Sequence, residues 1–95
     1  MIRVDIGARL ARTVIKLDPQ TVAELEAKLA RVAAQFGEAH RHGGLGLRKL
    51  GRRSYEARVG LDLRIVFIHE GDRLTAYDLM THDQVRKWLK GRKGD

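Results

Sequence analysis

The stretch Ser54-Tyr55-Glu56-Ala57-Arg58-Val59-Gly60-Leu61-Asp62-Leu63-Arg64-Ile65-Val66-Phe67-Ile68-His69 changes pattern part-way along. Residues 54–59 alternate, with Tyr55, Ala57 and Val59 on one side and Glu56 and Arg58 on the other, as a strand with one buried face does. Residues 61–69 are apolar on both faces past Arg64, the pattern of a central strand. Gly60 lies in the short turn between them. Glu70-Gly71-Asp72 then makes a hairpin turn, and residues 74–80 return as a further strand. An antiparallel meander is therefore the expected centre of the domain.

Working outward, residues 1–6 alternate through Ile2, Val4 and Ile6 and read as a short strand. Residues 7–17 place Leu10, Val14 and Leu17 at helical spacing, although the β-branched run Thr13-Val14-Ile15 weakens that helix. Asp18-Pro19 opens the strongest element. Asp18 suits an N-cap whose carboxylate accepts a backbone N–H, and Pro19 suits the first helical position. Val22, Leu25, Leu29, Val32, Ala33 and Phe36 then form one apolar stripe, which Gly37 ends. Residues 37–46 hold four of the ten glycines together with His40 and His42, so they read as a flexible loop. Residues 47–50 form a brief edge segment. Thr81-His82-Asp83-Gln84 matches a capping box, and Val85, Trp88 and Leu89 continue as a short amphipathic helix ending at Gly91. Residues 91–95 read as a flexible basic tail. The order is β-α-α-β-β-β-α: one α+β domain over residues 1–95, an antiparallel sheet of about four strands. Its helices are expected on one face, leaving the other for polar side chains.

Ninety-five residues allow one compact core, and 43% apolar residues are enough to fill it. Nineteen Lys and Arg against twelve Asp and Glu give a net charge of +7, which points to an acidic partner. The charge is clustered. Residues 37–64 carry +4, residues 1–17 and 81–95 carry +3 each, and residues 65–80 carry −2. Such blocks suit a phosphate backbone if the fold brings them together. The absence of Cys excludes disulfides, thiolate metal sites and a Cys nucleophile. Arg3, Asp5, Arg9 and Arg12 interrupt any N-terminal signal, and no apolar run is long enough to span a bilayer. A cytoplasmic protein without a membrane partner is expected.

Arg58 and Arg64 approach on one surface if their strands pair as a hairpin. Neighbouring guanidiniums repel unless an anion lies between them, so the pair suggests a phosphate site. The plainer alternative is that Glu56 pairs with one Arg and the other is solvated. His82 and Arg86 are four apart on one face of the last helix. His82 lies in its first turn, where the helix dipole disfavours imidazolium, and a neutral His there suits a base or a donor. Otherwise it is simply an exposed helix residue. His40 and His42 lack a third ligand, so no metal or cofactor is expected. His69 is expected to be exposed, and Trp88 to anchor the core.

Three segments together resemble the RelE/ParE toxin superfamily. They are Gly44-Leu45-Gly46-Leu47-Arg48-Lys49-Leu50, then Tyr55 to Phe67, then Thr81-His82-Asp83-Gln84-Val85. The resemblance implies a microbial RNase-like fold and the toxin of a bacterial type II toxin–antitoxin module. For the RelE branch it implies cleavage of mRNA on the ribosome, neutralised by a cognate antitoxin in a toxin–antitoxin hetero-oligomer. Carried over by position, Arg58, Arg64 and His82 are catalytic candidates, and Arg86, four residues after His82, is counted with them. Lys49, with Arg48, Arg52, Arg53, Lys87 and Lys90, is assigned to RNA binding. The chain departs from the pattern in having Arg86 near where nuclease members carry a Tyr, and Glu56 where they often carry a Lys. A ParE-like gyrase inhibitor without nuclease activity, or a degenerate interaction module, stays open beside the nuclease.

Overall fold

The computed structural model describes residues 2–92, and the tail expected over residues 91–95 lies outside them beyond Arg92. Nine elements follow one another: β1 (Arg3–Ile6), α1 (Ala8–Val14), α2 (Pro19–Gln35), α3 (Ala39–Leu45), β2 (Leu47–Lys49), β3 (Ser54–Val59), β4 (Leu63–Glu70), β5 (Arg73–Thr81) and α4 (His82–Lys90). The result is a mixed α+β fold with a five-stranded sheet and four helices. The expected antiparallel meander is present as β2 to β5. The sheet has five strands rather than four because the edge segment pairs in full, Leu47 with Ala57, Arg48 with Glu56 and Lys49 with Tyr55.

One pairing is parallel. The strand order is β1-β5-β4-β3-β2, and β1 runs beside β5 in the same direction. The two helices after β1 carry the chain across the sheet, so β1 closes the edge far from β2. Gly7 sits at that junction, where a Cβ would come within 3.0 Å of the Ala76 carbonyl oxygen.

The second departure is a helix where a glycine-rich loop was expected. Two observations account for α3 despite its poor propensity. Leu45 is fully buried in the core, and His42 stacks on Phe36 while its Nε2 accepts the Gly37 N–H at 3.1 Å. Gly46 ends the helix in the left-handed region at φ +69°. His69 is correspondingly not exposed as expected. It is half-buried, with its ring edge-on to Phe36 at 5.0 Å.

The long stripe of α2 behaves as read, ending at Gln35 with Gly37 at φ +97°. At its start the Asp18 side chain makes no N-cap hydrogen bond. It accepts instead from the Thr21 hydroxyl, which holds the carboxyl below its ordinary pKa. Leu25 and Val32 of α2 and Leu10 of α1 pack on Ala57, Val59, Ile65, Phe67, Leu74, Ala76 and Leu79.

The helices do not all share one face, as had been expected. Val66 and Met80 alternate with Ile65 and Leu79 and so point the other way, where α4 covers them with Val85, joined by Leu50, Tyr77 and Trp88. A strand apolar on both sides needs cover on both sides, and α4 supplies the second. Trp88 anchors this smaller core, 5.4 Å from the Tyr77 ring. The capping box starts α4 as read: Thr81 Oγ1 accepts from the Gln84 N–H, and Gln84 Oε1 accepts from the Thr81 N–H. No helix among the described residues is long and apolar enough to cross a membrane.

Candidate functional site

The register of β3 on β4 sets Arg58 directly opposite Arg64 and Glu56 opposite Val66. Alternation therefore puts Glu56, Arg58 and Arg64 on the α4 face of the sheet, with Arg48 beside Glu56 on β2. Glu56 is 5% exposed rather than solvated. Its Oε2 receives Arg64 Nε at 3.2 Å and lies 3.5 Å from Arg48 Nη2. Its Oε1 is buried and has no hydrogen-bond partner among the described residues. Arg58 is exposed and forms no ion pair there. The pairing foreseen as the plainer alternative thus holds for Arg64, and Arg48 joins it.

These groups line a cleft of about 720 Å³. Pairing of β2 with β3 ends at Leu47 and Ala57, so the final residues of β3 have no strand on that side. The notch is bounded instead by Glu24, Ala27 and Lys28 of α2 and by the backbone of residues 43–46. Cβ atoms built on Gly43 or Gly44 would meet nothing within 4 Å, so this wall is open to a ligand. Lys28 Nζ donates to the Leu45 carbonyl at 2.6 Å, and Arg31 Nη2 to that of Gly44 at 3.3 Å. Both carbonyls belong to the last turn of α3, where a helix attracts cations. Burial holds the Lys28 pKa below its ordinary 10.5, reinforced by the charges of Arg31 and Arg58.

Lys28, Arg48, Arg58 and Arg64 thus face two carboxylates, Glu24 and Glu56, in one cleft. The excess of positive charge suits an anion with several oxygens.

The other candidates lie elsewhere. Lys49 pairs with Tyr55, so it projects toward the α1 and α2 face, opposite to Arg48, with its ammonium 6.0 Å from the Tyr55 ring. Arg52 is exposed in the loop before β3, and Arg53 there forms an exposed pair with Glu70 at 3.6 Å. His82, Arg86 and Lys90 are exposed on α4 and do not line the cleft. His82 nevertheless starts two residues after Met80, the β5 partner of Arg64, and so stands at the same end of the sheet. Lys87 lines a second groove with Arg9, Thr13, Asp78, Gln84 and Trp88. Among the described residues no group of three His, Asp or Glu side chains could hold a metal ion.

The fold has a counterpart among solved structures. The chain is similar to a conserved hypothetical protein from Helicobacter pylori determined in solution, with a TM-score of 0.53 and 12% identity, covering 87% of this chain and 97% of that one. At that identity the likeness shows the fold alone. No family model and no curated protein matches the sequence.

One cleft residue was missed in the sequence. Lys28 stands three residues after Leu25 and four before Val32, the spacing of the buried stripe itself. A lysine at that spacing was a legible sign of a cation held against the core. Glu56 was read as a partner of one Arg, as found, but its burial depends on packing that local sequence does not report.

Proposed function

We propose that this chain is a metal-independent endoribonuclease of RelE/ParE type, the toxin of a bacterial type II toxin–antitoxin module acting in the cytoplasm on mRNA at the ribosome. The observation that carries the reading is the basic cleft itself: Arg58 stands opposite Arg64, and the buried Glu56 carboxylate holds Arg64 and Arg48 in place. In the proposed step the oxygen of a ribose 2′-hydroxyl attacks the adjacent phosphorus, and its proton passes to water. The O2′–P bond forms and the P–O5′ bond breaks, leaving a 2′,3′-cyclic phosphate and a 5′-hydroxyl. Arg64 stabilises the charge that develops on the phosphate oxygens, and Arg58 opposite it holds the strand. His82 is assigned to protonate the departing 5′-oxygen, on its position beside the Arg64 end of the sheet.

A sheet with α1 and α2 on one face and α4 on the other supports a RelE-like, microbial RNase-like assignment. The same basic cleft would accept the acidic side chains of a cognate antitoxin, so substrate and inhibitor would compete for one surface. The ParE-like reading, a gyrase inhibitor without nuclease activity, draws on one observation: His82 and Arg86 are not among the residues lining the cleft.

Inducible expression followed by primer extension of cellular mRNA tests the proposal, with wild type beside Arg64→Ala. Codon-phased cuts that disappear in the variant are expected. Growth arrest with intact mRNA and an induced DNA-damage response would overturn the nuclease in favour of gyrase inhibition.

A further inference from the structure

The two halves of the cleft differ in how their charge is balanced. On the sheet floor, Arg64 and Arg48 share the Glu56 carboxylate. At the notch, Lys28 and Arg58 come from different layers, α2 and β3, and neither forms an ion pair among the described residues. Lys28 has one neutral acceptor, the Leu45 carbonyl at 2.6 Å, so two of its three N–H donors are uncommitted. Glu24 also lines the cleft, but its carboxylate is turned to Gln20, whose Nε2 lies 3.4 Å from Oε1, and to Gly60, where a Cβ would meet Oε2 at 3.2 Å. Lys28 and Arg58 are near enough to act on each other: the Arg58 charge is one of the causes that make the Lys28 proton easier to lose. Two like charges lining one open cleft repel until an anion enters between them.

We propose that Lys28 and Arg58 form a second phosphate subsite beside the Glu56–Arg64 floor, so that the cleft grips a single RNA strand through two consecutive phosphates. The reacting phosphate lies at Glu56 and Arg64, and its neighbour is held at the notch, against the open wall of Gly43 and Gly44. The identification of the ligand as RNA rests on the endoribonuclease reading; the two-phosphate geometry does not.

Adenosine 3′,5′-bisphosphate carries two phosphates on one nucleoside and is the probe. Its affinity is compared by calorimetry with those of adenosine 3′-monophosphate and adenosine 5′-monophosphate. The wild type is expected to prefer the bisphosphate over the better monophosphate by roughly tenfold, the worth of one charge-assisted contact pair. Lys28→Gln and Arg58→Gln are each expected to reduce that preference to about twofold or less, while Lys28→Arg keeps it. Arg58→Gln touches no bond of the fold, so it carries the test if Lys28→Gln loosens α3. Equal binding of the three nucleotides by wild type, or an equal loss for all three in Arg58→Gln, would overturn the subsite. A bisphosphate preference in a protein that leaves mRNA intact would retain the subsite and remove the nuclease. Cut mRNA without the preference would do the reverse.

Discussion

Glu56 and Arg64 form a buried pair with an unequal carboxylate: Oε2 lies 3.2 Å from Arg64 Nε, and Oε1 meets no partner among the described residues. Their side chains are 7% and 16% exposed, so removing one partner strands the other away from water. Glu56→Ala is expected to cost about 3–5 kcal/mol of folding stability. Glu56→Gln, which keeps an acceptor of the same shape, is expected to cost about 1–3 kcal/mol. Urea unfolding of the three proteins measures both. A Glu56→Ala protein as stable as wild type would mean that the pair is solvated in solution, and that Glu56 does not hold the two arginines in place.

Arg58 is the converse case, an exposed cation with no carboxylate partner among the described residues. Arg58→Ala should change stability by no more than about 0.5 kcal/mol. Its effect belongs on binding. The slope of log affinity against log salt for a single-stranded RNA should fall by about 0.7, the value of one phosphate contact. A mutant with an unchanged slope would place Arg58 outside the ligand path.

Much of this arrangement could be read from local sequence, and the rest depended on long-range geometry. The Asp18-Pro19 start, the α2 stripe and the Thr81–Gln84 box are set within a few residues, and so were legible. The approach of Arg58 to Arg64 was legible too, because a short turn at Gly60 leaves little choice of register. The parallel pairing of β1 with β5 was not, since Val4 meets Leu74 across most of the chain. Residues 37–46 misled because glycine content argues for a loop, whereas the burial of Leu45 and the stacking of His42 on Phe36 are tertiary effects. The division of the cations followed from the same limit. Arg48 and Lys49 are neighbours in sequence, yet the pairing of β2 sends them to opposite faces.

Gly60 carries the turn that faces Arg58 toward Arg64. Its φ of +65° lies in the left-handed region, and an added Cβ would meet Glu24 Oε2 at 3.2 Å. Gly60→Ala should cost about 1–2 kcal/mol through the backbone conformation alone. Adding Glu24→Ala should recover only the steric part. Thermal unfolding of the single and double variants separates the two, and a fully restored double variant would show that backbone strain is absent.

The capping box of α4 has a direct optical readout, because Trp88 is the sole tryptophan and packs with Tyr77 beneath that helix. Thr81→Ala removes the acceptor for the Gln84 N–H and should cost about 1 kcal/mol. Gln84→Ala removes the reciprocal bond, and the two losses should add to less than their sum because they break one unit. Tryptophan fluorescence during unfolding should shift in midpoint with each variant. A Thr81→Ala midpoint equal to wild type would mean that packing of Val85 alone starts the helix.

Lys28 gives the pH dependence of ligand binding its sign. Burial, with the charges of Arg31 and Arg58, holds its pKa below the ordinary 10.5 in the free protein. A phosphate beside it favours the ammonium and raises the pKa again, so binding takes up a proton in the window below 10.5. Affinity for adenosine 3′,5′-bisphosphate should therefore be full near neutral pH and fall as pH rises through the lowered value. In the same window the unfolded chain binds more protons than the folded one, so this group makes unliganded folding stability rise with pH while ligand affinity falls. Lys28→Arg, whose guanidinium stays charged, should hold its affinity to higher pH and show no proton uptake. Calorimetry in buffers of different ionisation heat measures that uptake. Equal proton uptake by wild type and Lys28→Arg would assign the titration to another group and remove Lys28 from the bound phosphate.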